Sequence, residues 1–435
     1  MHPIKTELYP GISLHILTDS RFKTNYISLS FLCDMTAENA AESHLLPMVL
    51  GRGSQNYPDL GAINRALELI WDGTLDSGTG RLGETRSIGF SACYPDDRFL
   101  PQNENIEDKT LDIFFDILFN PKTENGVFSA EYTESEKEKL LQRIATLINS
   151  KGKYADTRLR ELMCENEAYG LPTAGTEAQI QAVDPDSLYR FYQTMLQSFP
   201  VKIFYIGSTP ADIITEKLQK HLAVLFHPKL SLSGTQVIAS AEKVRSFEET
   251  LPGKQGHLRL GYRTNCTLAK KDFAAFAIMN EILGGCPVSL LFTNVREKKS
   301  LCYYCYSSPN SLKGILSIGA GIRDDNRNKA QQAILEQVAA MQNGDFSDEI
   351  VKAALDSIES ALCGIRDSRS TVESFLVRRL LAGADTDLAA YLAALRAVTK
   401  EDIIESARKL TLDTVYYLKP DGMEEDDMGG DEDEN

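Results

Sequence analysis

No pair of histidines in this chain is spaced to share a metal ion. The six histidines, His2, His15, His44, His221, His227 and His257, are scattered over 435 residues, and none lies in a His-x-x-Glu-His or His-Glu-x-x-His arrangement. Hydrolysis at zinc needs two imidazoles on one helical face, a general-base carboxylate and a third ligand, so a self-contained site of that design is excluded. Long apolar runs are missing as well: none approaches the ~18 residues of a membrane span, and the opening Met1-His2-Pro3-Ile4-Lys5-Thr6-Glu7 has no apolar core of signal-peptide length. Basic excess is absent, and a formal charge of −16 sets nucleic acid aside as a partner. The eight cysteines have no disulfide-like spacing, which predicts a reducing, cytoplasmic setting. Cys302-Tyr303-Tyr304-Cys305 is a C-x-x-C, but it lies in a tyrosine-rich stretch that reads as a strand, with its two thiols expected on opposite faces. Trp71, the one tryptophan, follows the helical pattern Leu60 to Ile70 and is expected in the core.

What is present is enough apolar residue for two or three domains of ~100–200 residues each, and an internal repeat. Ile180 to Leu188 and Leu395 to Ile403 each set a capping-competent residue, Asp184 or Thr399, before a helical run. A β-rich stretch follows in each case, Val201 to Gly207 or Val415 to Leu418. Other strands are expected at Ser13–Thr18, Tyr26–Cys33, Arg86–Cys93, Leu258–Arg263 and Gly314–Gly321. Helices are expected at Lys109–Phe119, Ser135–Asn149, Ala330–Met341 and Asp348–Arg366. The fold class is therefore α+β, with two homologous domains, each a mostly antiparallel sheet packed with helices. The boundaries are 1–226 for the first, 227–244 for a linker broken by Pro228 and Gly234, 245–420 for the second, and 421–435 for an acidic tail.

From Asn280 to Tyr304 the chain carries a double glycine, Gly284-Gly285, followed by Ser289, Leu291, Phe292, Arg296, Glu297, Lys298, Leu301 and Tyr303. This resembles the second domain of the M16 (pitrilysin and processing-peptidase) zinc metallopeptidases, whose pattern reads Gly-Gly, Ser-x-Leu-Phe, Arg-Glu-Lys-x-x-Leu-x-Tyr. The resemblance extends over nearly the whole chain to Pro420, and it implies two related domains in a clam-shell arrangement and chains that work in pairs. The family's inverted His-x-x-Glu-His lines up with Ser43 to Ser54, where His44 is kept. Pro47 stands at the general-base position and Met48 at the second ligand. Arg143 falls at the third-ligand position, with Glu136 and Glu138 as the other registers. A thioether is a poor ligand for catalytic zinc, and proline inside a helix costs about 3 kcal/mol and threatens the four-residue spacing.

The zinc site therefore reads as degenerate, with no metal or other cofactor in this chain and zinc expected in a partner. The resemblance points to the family's non-catalytic branch. It implies a heterodimer with a zinc-bearing M16 subunit around a peptide substrate, with a homodimer as the alternative for the chain alone. Arg296 and Tyr303 would act in trans, stabilising the transition state, and Gly284 and Gly285 would contact substrate. Two other functions stay open at this point: a peptide-binding scaffold without catalytic contribution, and a stand-alone peptidase with an atypical site.

Residues 424–435 carry eight acidic and no basic side chains, half of the net negative charge. Such a segment cannot bury enough apolar surface to offset its ordering entropy and reads as a disordered end. Truncation after Pro420 is expected to change stability by less than about 0.5 kcal/mol, as thermal denaturation of the full-length and shortened chains would measure.

Overall fold

The computed structural model describes residues 3–101 and 104–422, so the acidic tail from Met423 and the histidine at position 2 lie outside the described residues. The chain divides into two compact units. The first comprises Met1–Ala145, Leu171–Thr235 and Ser368–Arg378; the second comprises Thr146–Gly170, Gln236–Asp367 and the described residues from Arg379 onward. The changeover between Thr235 and Gln236 falls within the stretch read as a linker. The units differ from a simple cut there by two exchanged segments, 146–170 and 368–378, each of which belongs to the unit built mainly from the other half.

In the first unit, β1 (Ile4–Tyr9), β2 (Ile12–Thr18), β3 (Thr24–Asp34), β4 (Thr74–Leu82), β5 (Thr85–Pro95) and β6 (Val201–Gly207) form one sheet in the order β1-β2-β6-β3-β5-β4. In the second, β7 (Arg245–Leu251), β8 (Gly256–Arg263), β9 (Cys302–Asn310), β10 (Ile315–Ile322) and β11 (Thr411–Pro420) run β9-β10-β8-β11-β7. With β1 set aside, both sheets have the order first, fifth, second, fourth, third. Each contains a single parallel pair, β2 with β6 and β7 with β11. The duplication that is faint in the residues is thus explicit in the topology.

The repeat near Asp184 and Thr399 marks equivalent places. Asp184 caps helix Pro185–Ser198 ahead of β6, and Thr399 caps helix Lys400–Arg408 ahead of β11, each through a reciprocal capping box. Interior strands lose the period-two polarity because both of their faces are covered. Every residue of β8 is buried, as are all but one of β6. β4 is an edge strand, TLDSGTGRL, with little apolar content and high exposure, which is why its sequence gives no strand signal. Trp71 departs from the expected core position. The helix Leu60–Glu68 is followed by Trp71 and Asp72 at φ 59° and 54°, a left-handed turn that leaves the indole half exposed.

Segment 146–170 is bound into the second unit by apolar packing and by ion pairs, among them Arg158–Glu249 and Asp156–Arg259. Ala155 and Leu159 on its helix Lys151–Met163 pack against Tyr416 and Leu418 of β11. Next to them lies a buried set of four charges. Arg263 donates to Asp413 at 2.7 Å and, through both terminal nitrogens, to Glu167 at 2.7 and 3.1 Å; Lys313 pairs with the same Glu167 at 2.6 Å. Arg263 also donates to the Met163 carbonyl at 2.9 Å. Burial raises the Glu167 pKa, but hydrogen bonds from Arg263 and Lys313 outweigh it and hold the carboxyl below its usual 4.5.

Glu167→Ala would take the carboxylate from buried Lys313 and leave Arg263 with Asp413 alone, and is expected to cost about 3–5 kcal/mol. Because the folded-state pKa is depressed, this residue's contribution is present above pH 4.5 and is lost as pH falls below it. Urea denaturation of wild type and variant at neutral and acid pH would measure both effects.

Candidate functional site

Helix Ala40–Leu50 carries His44, Pro47 and Met48. Contrary to the threat posed by its sequence, it runs unbroken through Pro47, so the spacing survives and the chemistry is what differs. Pro47 is buried, and its carbonyl accepts from Ser77 Oγ at 3.0 Å and from the Gly51 N–H. Met48 packs against the apolar core of the first unit.

His44 is enclosed by polar groups that define its protonation. Arg86 Nη1 lies 2.9 Å from Nδ1, Thr79 Oγ1 lies 2.8 Å from Nε2, and the Ala40 carbonyl lies 3.3 Å from Nδ1. A guanidinium only donates, so Nδ1 is the acceptor and Nε2–H donates to Thr79. The imidazole is neutral, its pKa pushed down to about 4 by burial and then by the charge of Arg86.

Arg86 is itself 2% exposed, donates to the Thr173 carbonyl at 2.8 Å, and among the described residues leaves Nε and Nη2 without hydrogen-bond partners. Opposite it on β4, Arg81 donates to the Leu171 carbonyl and Thr173 Oγ1. The one imidazole lone pair that could reach a metal is therefore taken by a cation, with a second guanidinium close by.

The third-ligand candidates do not alter this. Arg143 is exposed on helix Ala130–Thr146, and Glu138 is exposed on the same helix. Glu136 is buried and committed to Arg52 at 3.2 Å and Lys139 at 2.6 Å. Among the described residues no group of three His, Cys, Asp or Glu side chains is placed to hold a metal ion. The residues present do not fit catalytic zinc: one neutral histidine with its lone pair occupied, a proline, a thioether and guanidinium groups. Arg86, the decisive neighbour, is not marked by residue type in the sequence, where it reads only as the start of a strand.

The second-unit motif is built on widened helix. Helix Phe273–Asn280 continues into π-helical turns at Glu281–Gly285, and a second π-helical stretch spans Leu291–Lys298. Such turns recur at functional sites. Gly284 is buried where a Cβ would meet Ser307 N at 2.5 Å, so its missing side chain admits the close approach of β9; Gly285 is exposed. Leu291 and Val295 anchor the second turn in the core. Arg296 points outward with its guanidinium 4.6 Å from the Phe292 ring centroid, and no described carboxylate pairs with it.

Tyr303 is the extra residue of a β-bulge. Cys302 faces Ile322 and Tyr304 faces Gly321, leaving Tyr303 unpaired and 60% exposed. Tyr304 turns inward to His257, with its hydroxyl 2.8 Å from Nδ1. The bulge also corrects the strand reading of the two thiols: Cys302 and Cys305 share a face.

Comparison with known proteins bears on this geometry. Residues 182–358 match the family described as "Peptidase M16 inactive domain". The "Probable inactive metalloprotease YmfF" of Bacillus subtilis (strain 168) is 30% identical over 411 residues, 94% of this chain and 96% of that protein. The "Uncharacterized zinc protease YmxG" of the same organism is 23% identical over 373 residues, 83% of this chain and 88% of that protein. Among solved structures, a conserved protein from Enterococcus faecalis V583 superimposes with a TM-score of 0.90 at 23% identity, covering 98% of this chain and 100% of that one. A peptidase M16 inactive domain from Pseudomonas fluorescens gives 0.77 at 17% identity, covering 98% and 100%.

Arg86→Met should lift the His44 pKa from about 4 toward its ordinary 6.5 while burial still holds it down in part. An NMR titration of the imidazole Hε1 resonance in wild type and variant would show the shift; an unchanged midpoint would remove Arg86 as the charge that governs His44.

Proposed function

This chain belongs to the M16 peptidase family as an inactive homologue, and from that premise we propose that it is a non-catalytic subunit that pairs with a zinc-bearing M16 chain to form a peptide-processing chamber. In this reading the first unit, with its degenerate site, binds no metal, and the second unit contributes Arg296 and Tyr303 in trans. A guanidinium and a phenol are suitable donors to a scissile carbonyl as it becomes an oxyanion. The observation that carries the proposal is that both side chains are exposed and, among the described residues, neither is engaged by a carboxylate or hydrogen bond. An arginine salt-bridged to its neighbours, or a tyrosine packed into the sheet, would have argued for a structural role. Gly285, exposed at the end of the first π-helical stretch, is proposed to line the path of the substrate, with Gly284 fixing its distance from β9.

All eight cysteines are free thiols, which supports a cytoplasmic location. No helix among the described residues is long and apolar enough to cross a membrane.

Co-purification from the native cell, with metal analysis of the complex, identifies the partner. In the assembled complex, Tyr303→Phe or Arg296→Ala is expected to leave assembly intact by size-exclusion chromatography while lowering kcat by roughly 10²-fold. Unchanged turnover in an intact complex would remove the catalytic contribution and leave a peptide-binding scaffold.

A further inference from the structure

The bulge at Tyr303 has a second chemical consequence. Ile322 and Ala320 on β10 lie two positions apart and point the same way, so Cys302 and Cys305, which face them, also share one side of β9. Three residues apart in sequence, they stand opposite partners two apart on β10, whose Cα spacing in a strand is ~6.8 Å, at the upper end of disulfide Cα separations. The Cys305 thiol is the neighbour with the largest influence on the Cys302 thiol. Their exposure is unequal: Cys302 is half-buried and Cys305 is 5% exposed.

We propose that Cys302 and Cys305 form a peroxide-reactive dithiol site, in which a hydroperoxide oxidises Cys302 and Cys305 resolves it as an intramolecular disulfide. The Cys302 thiolate attacks the peroxide, the S–O bond forms as the O–O bond breaks, and the departing alkoxide or hydroxide takes up a proton. Cys305 then gives up its proton and attacks the sulfenic sulfur; the S–S bond forms, the S–O bond breaks, and water leaves. Overall, two thiols and one hydroperoxide yield one disulfide, one alcohol or water, and one further water.

The electrostatics suit these roles. The Cys305 thiol lowers the Cys302 pKa against the effect of burial, and the Arg296 charge adds to the lowering. The same interaction and burial hold the Cys305 pKa well above the ordinary thiol range. Elsewhere burial pushes Cys33, Cys164 and Cys266 up to about 12, which makes them inert. Cys363, exposed on another helix, offers a control of equal or better access.

The test uses the full-length chain, reduced and then exposed to hydrogen peroxide. Trypsin releases Ser300–Lys313, which contains both cysteines and no other. This peptide is expected to lose two hydrogens, about 2 Da, at peroxide doses that leave Cys363 largely reduced, and dithiothreitol should restore it. In Cys305→Ser, Cys302 should persist as a sulfenic acid captured by dimedone, and Arg296→Ala should slow its formation several-fold. A peptide that stays in the dithiol form at doses that oxidise Cys363 would overturn the proposal. Dimedone labelling of Cys363 but not Cys302 in Cys305→Ser would do the same.

Discussion

The second unit is organised around one buried electrostatic constraint, the pairing of Arg263 and Lys313 with Glu167 and Asp413. Burying two cations is costly unless each meets a carboxylate with good geometry, and here Glu167 and Asp413 meet both, with the less buried Arg245 also on Asp413 at 3.3 Å. One of the carboxylates comes from residue 167, far from the other three in sequence. The demand for neutralisation therefore fixes helix Lys151–Met163 and its following turn on the second sheet, where Ala155 and Leu159 complete the apolar layer over β11. The same helix is further tied to the second unit by Arg158 and Tyr154 to Glu249 and by Arg259 to Asp156.

The first unit handles an internal cation differently. Among the described residues Arg86 has no carboxylate partner and is held by a histidine nitrogen and a carbonyl. That arrangement keeps His44 neutral and uses its Nδ1 as a structural acceptor. Pro47 is accommodated because the segment around it is buried and its carbonyl still finds the Gly51 N–H and Ser77 Oγ.

Local signals in the sequence were reliable where the physics is local. Asp184 and Thr399 cap their helices, and strands expected at Tyr26–Cys33, Arg86–Cys93 and Leu258–Arg263 lie within β3, β5 and β8. The Gly-Gly and Arg-to-Tyr pattern marked the widened helix and the bulge region without revealing either. What stayed hidden depends on register or on distant partners. The sharing of a face by Cys302 and Cys305 comes from one unpaired residue, which alternation along a strand cannot announce. The attachment of residues 146–170 to the second unit rests on charges that meet only in three dimensions. Arg86 is one arginine of many until its lack of a carboxylate partner among the described residues is seen, and Trp71 followed a helical pattern that ends two left-handed residues too soon.

The exchange of short segments between the units also bears on the order in which the protein can be made. A unit composed of contiguous residues can close while the rest of the chain is still being synthesised. Here the first unit includes Ser368–Arg378, where Glu373 accepts from the Tyr26 hydroxyl and Arg369 donates to the Thr24 carbonyl. The second needs Asp413 as well as Glu167. Neither can reach its final state on the ribosome until most of the chain has emerged. Until Ser368–Arg378 has emerged, Tyr26 and Thr24 of β3 lack the partners that Glu373 and Arg369 provide, so the first unit is completed only late in synthesis.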